Sequence, residues 1–475
     1  MDLEDSRRRV AALTAPKNVV LVGASDRPGS WAARVWRNLG RYGFEGNIYP
    51  VNPGRNEVFG RTCWRDVAAL PEPPDHLVVL APAAGVADVL TAGAAAGARS
   101  ATVFSAGFGE AYDAAGAALG RALADTIRAT GLGVSGPNCM GNICGPARLV
   151  SLTEDRELTA APGPVALVGQ SGGVMIFTNR VLEERGIRAG YLITSGNELG
   201  LTVADYIAYF CTRPEIKAIV AYIEAVRDED AFRTACAAAR AAGTAVIALK
   251  LGQSPAGQEA ALAHTGRRSG PMEDFDALAA ECGVIRADTL DDVVETVELV
   301  VHGGVPRGRR LAAITMSGAC RGLLLDAAAR HGLLFPELAP ETLAKLHARL
   351  SVGSLVGNPL DGGFGILTSQ DNFAACVAAV ESDPNIDMVL LQEELPRGPG
   401  SARTESYLRL VEDYARSRAG KPIAFITLLT HSHNDYSRAL RADLPHLAFL
   451  EEANKGLRAI DAALRRNEAA PPARR

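Results

Sequence analysis

Long apolar runs are missing from this sequence: nowhere in the 475 residues is there the stretch of about 18 that a membrane-spanning helix needs. The N-terminus, MDLEDSRRRVAALTAPKN, mixes charges and lacks the apolar core of a secretory signal, so a cytoplasmic location and no membrane partner are expected. Cysteine is present but unpaired in pattern. The eight residues (Cys63, Cys139, Cys144, Cys211, Cys236, Cys282, Cys320 and Cys376) form no CxxC, which argues against a disulfide scaffold or a zinc knuckle and for reduced thiols. Basic surplus is absent too, with 49 Lys and Arg against 54 Asp and Glu for a net charge of −5; nucleic acid is not an expected partner. Aromatics are only 5%, beside heavy use of Ala and Arg, which reflects base composition and excludes nothing by itself. What remains is ordinary soluble material, 48% hydrophobic and 22% charged, and at about 150 residues per domain the length suggests three domains.

Internal repetition fixes the architecture. Three apolar runs of strand length each end in a Gly or Ser turn and open into a helical pattern: NVVLVGASDRPGSWAARVWRNLGRYG from Asn18, PVALVGQSGGVMIFTNRVLEERG from Pro164 and RLAAITMSGACRGLLLDAAARHG from Arg310. Each reads as the opening of a doubly wound parallel sheet. The second and third modules run parallel further on. RPEIKAIVAYIEAV matches DPNIDMVLLQEELP, each strand ending in a carboxylate (Glu224, Glu394), and GTAVIALKLGQS matches GKPIAFITLLTHS. The expected fold is α/β: a Rossmann-like domain over residues 1–150, then two flavodoxin-like domains over 160–305 and 309–465, with a disordered tail over 466–475. Linkers are expected over 154–163 and 301–310.

Two turns suit an anion. GASDRPGS, from Gly23, and GQSGG, from Gly169, each lie between a strand and a helix, where free backbone N–H groups and the helix dipole favour phosphate. The first lacks the glycine spacing of a dinucleotide fingerprint and is equally a plain tight turn. The second also fits G-x-S-x-G, but a nucleophile elbow needs an acid, a histidine and an oxyanion loop that are not evident. His264 lies in a Gly- and Ser-rich loop, GQSPAGQEAALAHTGRRSGP, which the third module does not reproduce. A neutral imidazole can accept a phosphoryl group, given an anion cradle and a carboxylate to orient it; Gln170, Ser171 and Glu224 offer both. His431 and His433 form an HxH pair without an evident third ligand, so a solvated pair is expected and no metal site; His76, His302, His331, His347 and His446 read as ordinary positions. Cys139, in GPNCMG, reads as a buried thiol rather than a nucleophile.

The series VVLVGAS, YPVNP, SAGFGE, GPNCMG, GQSGG, SGNE, YIEAVRD, AHTG and NPLDGG, in that order, resembles the NDP-forming acyl-CoA synthetases, relatives of succinyl-CoA synthetase, over roughly Ala15 to Arg465. It is most similar to the α subunit of the two-subunit ADP-forming acetyl-CoA synthetases. The resemblance implies a ligase in which a phosphohistidine phosphorylates a carboxylic acid and CoA attacks the acyl phosphate. It makes His264 the phosphohistidine, Glu224 its positioning carboxylate, and Gln170, Ser171 and Gly172 the phosphoryl cradle. It places coenzyme A against Gly23, Ala24, Ser25, Val51, Asn52, Pro53, Ala81, Pro82, Ser105, Ala106, Gly107, Asn138 and Cys139, and lets the His264 loop swing between sites. No ATP-grasp stretch is recognisable, so ATP and Mg2+ are expected through a separate ATP-grasp β subunit in an α2β2 assembly. TMSGACRG and GRRSGPMEDF depart from the family's usual glycine-rich and small-residue stretches, which leaves the acid open. Two alternatives stand beside this reading: a CoA-binding protein without catalysis, and an acyltransferase working from acyl phosphate without ATP.

Overall fold

The computed structural model describes the chain except Met1, Arg156, Ser351 and residues 111–113, 266–269, 418–419 and 469–475, together with the side chains of 262–265 and 467–468. It divides into two compact units, Met1–Glu183 with Arg188–Val284, and Glu184–Ile187 with Ile285–Arg475. No helix among the described residues is long and apolar enough to cross a membrane.

The first unit covers the first expected domain and the second as far as Val284; residues 184–187 and 285–305, expected in the second domain, fall in the other unit. Its first sheet comprises β1 (Asn18–Val22), β2 (Asn47–Val51), β3 (His76–Val79), β4 (Ser100–Val103) and β5 (Gly133–Ser135), all parallel in the order β2-β1-β3-β4-β5. The chain winds to one side of β1 and then to the other, so a crevice opens between the carboxyl ends of β1 and β3. Its second sheet contains β6 (Asn142–Cys144), β7 (Leu149–Val150), β8 (Val165–Gly169), β9 (Ala189–Thr194), β10 (Ala218–Ile223) and β11 (Ala245–Lys250), in the order β11-β10-β8-β9-β6-β7. Its parallel part has its own switch point between β8 and β10, and β6 extends it by pairing antiparallel with β9. Strands β8 to β11 are buried throughout, which is why they read as unbroken apolar runs rather than alternating ones.

One hydrophobic cluster runs from Val10, Leu13 and Val19 through Tyr191, Tyr206 and Phe210 to Cys282, joining the two sheets into one core. The N-terminal helix Leu3–Thr14, which mixed charges conceal in the sequence, is capped by Asp2 and tied to the Val203–Phe210 helix: Ser6 Oγ donates to Asp205 at 2.6 Å and Thr14 Oγ1 to the Tyr209 hydroxyl at 3.0 Å. Across the same seam Tyr206 donates to Ser135 Oγ at 2.9 Å, and Gly136 N–H to the Ser195 carbonyl at 3.1 Å.

The second unit carries the third expected domain, with β12 (Leu311–Thr315), β13 (Leu360–Asp361), β14 (Met388–Gln392), β15 (Ile423–Ile426) and β16 (Ala448–Leu450) parallel in the order β13-β12-β14-β15-β16. Buried ion pairs brace it. Arg185 reaches Glu295 at 2.6 Å and Glu451 at 3.2 Å, and Arg441 reaches Glu298 at 2.6 Å. His433 is part of this bracing and not the solvated residue expected: it bonds Glu451 at 2.6 Å and is almost fully buried. The final helix, Ala453–Glu468, runs three residues past the expected boundary at Arg465; the rest of the expected tail lies outside the described residues.

Gly196 gives the seam a test. Its φ is +56°, and a Cβ there would sit 2.1 Å from the Pro137 carbonyl oxygen. Gly196→Ala is therefore expected to cost at least about 2 kcal/mol through overpacking and backbone strain, seen as a lower thermal midpoint; an unchanged midpoint would mean that the seam is not close-packed there.

Candidate active site

The loops at the carboxyl edge of the first sheet are knitted together by backbone bonds. Gly23 and Ala24 donate to the Val51 carbonyl at 2.9 and 3.1 Å, the Asn52 amide donates to the Ala24 carbonyl at 2.8 Å, and Asn138 N–H donates to the Ser105 carbonyl at 2.9 Å. Ser105 Oγ donates to the Ala81 carbonyl. Gly23 adopts a φ of +83°, and a Cβ there would press on Leu80 backbone atoms at 3.0 Å, so only glycine permits this close approach. The residues expected to meet coenzyme A lie in the loops of this one edge, with Pro53, Pro82, Ala106 and Gly107 exposed and Ala24, Val51 and Cys139 buried. Cys139 turns inward. Its thiol donates to the Val103 carbonyl at 3.2 Å, and burial raises its pKa to about 11, the state of a structural thiol.

At the switch point of the second sheet, Gln170 leaves the end of β8 and spans to the end of β10. Its Oε1 accepts from the N–H groups of Glu224 (2.6 Å) and Ala225 (3.1 Å), and its Nε2 donates to the Ala225 carbonyl at 2.8 Å. Its own N–H donates to the Tyr222 carbonyl at 3.2 Å. Three of the four hydrogen-bonding positions of the amide are thereby used on the segment that carries Glu224. The amide is a clamp on Glu224 more than a wall of the cradle. Beyond it the Gly172–Glu184 helix begins, thirteen residues long, with Ser171 and Gly172 half-buried at its start. The N–H groups of a first turn have no intrahelical partners, so this end is suited to an anion. A Cβ on Gly172 would meet Met140 Sδ at 2.8 Å and displace that side chain, whereas the space over Gly173 is open.

Glu224 is buried, 6% exposed. Two buried ionisable groups flank it that composition and motif spacing did not single out as site residues. Lys250, the last residue of β11, donates through Nζ to the Glu224 carbonyl at 2.7 Å and the Leu251 carbonyl at 3.0 Å; burial lowers its pKa to about 8 against the opposing pull of Glu224. Glu198 accepts from Ser195 Oγ at 2.7 Å and Val203 N–H at 3.2 Å, with the Gln170 side chain as a further hydrogen-bonding neighbour. Burial lifts its pKa to about 7 in spite of these donors. A charge closing the apolar run AVIALK was the available signal for Lys250.

The segment after β11 is not the open loop expected. Pro255–Thr265 is a helix, begun by a proline and sustained by the helix formers of QEAALAH, with Ser254 Oγ accepting from Gly257 N–H at 3.1 Å. His264 lies in its last turn, and its side chain falls outside those described. In the second unit, Glu394 is exposed while Glu393 is half-buried, its pKa raised by desolvation. Thr315 Oγ1 bonds Gln392 Oε1 at 3.2 Å across that sheet's switch point.

Residues 17–144 match the CoA binding domain and 162–300 the succinyl-CoA ligase like flavodoxin domain. The α subunit of acetate–CoA ligase (ADP-forming) I from Pyrococcus furiosus is 32% identical over 328 residues, 68% of this chain and 70% of that subunit. A trans-feruloyl-CoA synthase from an unknown prokaryotic organism is 32% identical over 388 residues, 81% of this chain and 55% of that protein. The chain belongs to the NDP-forming acyl-CoA synthetase family, on its α-subunit side. It spans about half the length of several curated relatives it matches, such as the 55% of the feruloyl-CoA synthase and 53% of an Archaeoglobus fulgidus acetate–CoA ligase. Among solved structures, a dinucleotide-forming acetyl-coenzyme A synthetase 1 from Ca. Korarchaeum cryptofilum, in complex with phosphate and ADP, shares the fold with a TM-score of 0.81 over 97% of both chains at 23% identity.

Glu198 carries a pH prediction. Its folded pKa of about 7 lies above the ordinary 4.5, so the stability it contributes is complete below about pH 4.5 and is lost as the pH rises through about 7. The fall in thermal midpoint between about pH 5 and about pH 8 is expected to be smaller in Glu198→Gln than in the unaltered chain; equal falls in both would remove Glu198 from the linkage.

Proposed function

We propose that this chain is the α-type subunit of an NDP-forming acyl-CoA synthetase, interconverting a carboxylic acid, ATP and CoA with acyl-CoA, ADP and phosphate. The observation that carries the reading is the pairing, at one switch point, of an open helix N-terminus after Gln170 with a clamped, buried Glu224. A phosphoryl transfer through histidine needs these two things near each other: oriented N–H groups for the equatorial oxygens and a carboxylate to hold the imidazole.

In the synthetic direction the Nε2 or Nδ1 of His264 takes the phosphoryl group, and Glu224 accepts the N–H of the other ring nitrogen, keeping the tautomer that leaves a lone pair at the reacting nitrogen. The N–H groups of Ser171, Gly172 and Gly173 stabilise the charge that spreads over the transferred oxygens. A substrate carboxylate then attacks phosphorus, the N–P bond breaks and acyl phosphate forms. The CoA thiolate, held along the edge from Gly23 to Asn138, attacks the acyl carbon and phosphate leaves. Movement of the Pro255–Thr265 segment would carry His264 between this cradle and the nucleotide. The nucleotide and Mg2+ belong to a separate ATP-grasp β subunit in an α2β2 assembly; the α-subunit naming of the P. furiosus relative supports a partner subunit, and the greater length of the Archaeoglobus fulgidus relative leaves room for a further domain in that protein. A small carboxylic acid is the substrate class, and the cytoplasm the compartment.

The test is labelling. Run from the acyl-CoA side with radioactive phosphate, the chain is expected to gain acid-labile, base-stable label, and His264→Ala to gain none while binding CoA with unchanged affinity; label on the His264→Ala chain would sink the assignment. Glu224→Gln is expected to slow labelling roughly 10²-fold, the scale of a lost acid–base partner, and an undiminished rate would take Glu224 out of the mechanism.

A further inference from the structure

Lys250 is a lysine where the sheet asks only for an apolar residue. Strand β11 is buried along its whole length, and Lys250 pairs in register with Ile223, the residue before Glu224. The side chain is 3% exposed. Placing an ammonium there costs desolvation that a leucine or methionine of similar reach would avoid, so packing does not account for it. What the ammonium does is visible in its bonds: Nζ holds the Glu224 carbonyl at 2.7 Å and the Leu251 carbonyl at 3.0 Å, and the Glu224 carboxylate is near enough to favour its charged form.

From the other side the Gln170 amide holds the Glu224 and Ala225 N–H groups and the Ala225 carbonyl. The peptide units on both sides of the Glu224 Cα are therefore gripped by side chains from the two strands that flank β10, one grip neutral and one cationic. A neutral grip would suffice to fix the backbone. The cationic one adds a positive charge within electrostatic reach of the Glu224 carboxylate, which favours holding that group in one place, as an acceptor for an imidazole N–H requires.

We propose that Lys250 is the positioning residue for Glu224, fixing its carbonyl and holding its side chain in place for histidine phosphorylation. The inference rests on the function proposed above. It assigns Lys250 to the half-reaction that goes through His264 and not to acyl exchange between phosphate and CoA, which occurs without the histidine.

A double-mutant cycle on the full chain separates this from a role in folding alone. Two rates are followed: labelling of the chain by radioactive phosphate in the presence of acyl-CoA, and phosphate-dependent release of CoA, which reads the exchange step. Lys250→Met is expected to slow labelling about as much as Glu224→Gln, to leave CoA release within about twofold, and to add almost nothing when combined with Glu224→Gln, since the two residues act as one unit. Multiplied losses in the double variant, or a fall of both rates together, would overturn the proposal and leave Lys250 a structural residue. If Lys250→Met loses CoA binding and so fails to fold, Lys250→Gln, which keeps donors without charge, goes through the same cycle with the same criteria. Failure of the underlying reading looks different: the unaltered chain, or His264→Ala equally with it, would then show no histidine-dependent label at all. A normal labelling rate in Lys250→Met beside a crippled Glu224→Gln would refute the role of Lys250 alone.

Discussion

The span of the Gln170 amide from the end of β8 to the peptide after β10 is the contact on which the proposed chemistry depends. Parallel strands end in unpaired backbone groups, and at a switch point the two neighbouring strands send their chains to opposite faces, leaving N–H and carbonyl groups that no ladder can satisfy. Gln170 satisfies them with one side chain, fixing the carboxylate-bearing residue at the moment the chain leaves the sheet. The same geometry frees the next residues, Ser171 onward, to begin a helix. Clamp and cradle are therefore consecutive products of one turn. Burial then raises the stakes, because a polar network at low dielectric is rigid when its members are satisfied and unfavourable when one is removed.

The third module shows what the turn becomes when the clamp is changed. At its switch point Thr315 meets Gln392 directly and the aligned carboxylate Glu394 is exposed, while His433 bonds the buried Glu451 instead. The third module has the parallel strand order β13-β12-β14-β15-β16 without the Gln170–Glu224 arrangement, and this sequence has no second AHTG stretch. A fold repeats readily; a site repeats only where each of its hydrogen bonds does.

Much of this was legible in the residues. Buried parallel strands announce themselves as apolar runs, and the turns after Val22, Gly169 and Thr315 mark where sheets open, so three β-turn-α modules, and the turn after Gly169 as a helix start, could be read from pattern. Glu224 stood out because a carboxylate closing an apolar strand has no packing role. Lys250 obeys the same logic, but periodicity weighs the run and not its last residue. Glu198 sits in SGNE, at a φ of +51°, where neither period nor charge pattern points. The helical state of Pro255–Thr265 was hidden by flanking Gly and Ser, although its interior is rich in helix formers. The Leu3–Thr14 helix was hidden because its mixed charges mask the few residues, Val10 and Leu13 among them, that it buries.

The most direct test of the clamp is its removal. Gln170→Ala deletes the amide without touching the N–H groups of the cradle. If the amide fixes Glu224, the variant retains CoA affinity and its rate of histidine labelling falls about as far as in Glu224→Gln; a chain that labels at the unaltered rate without this amide would contradict the account.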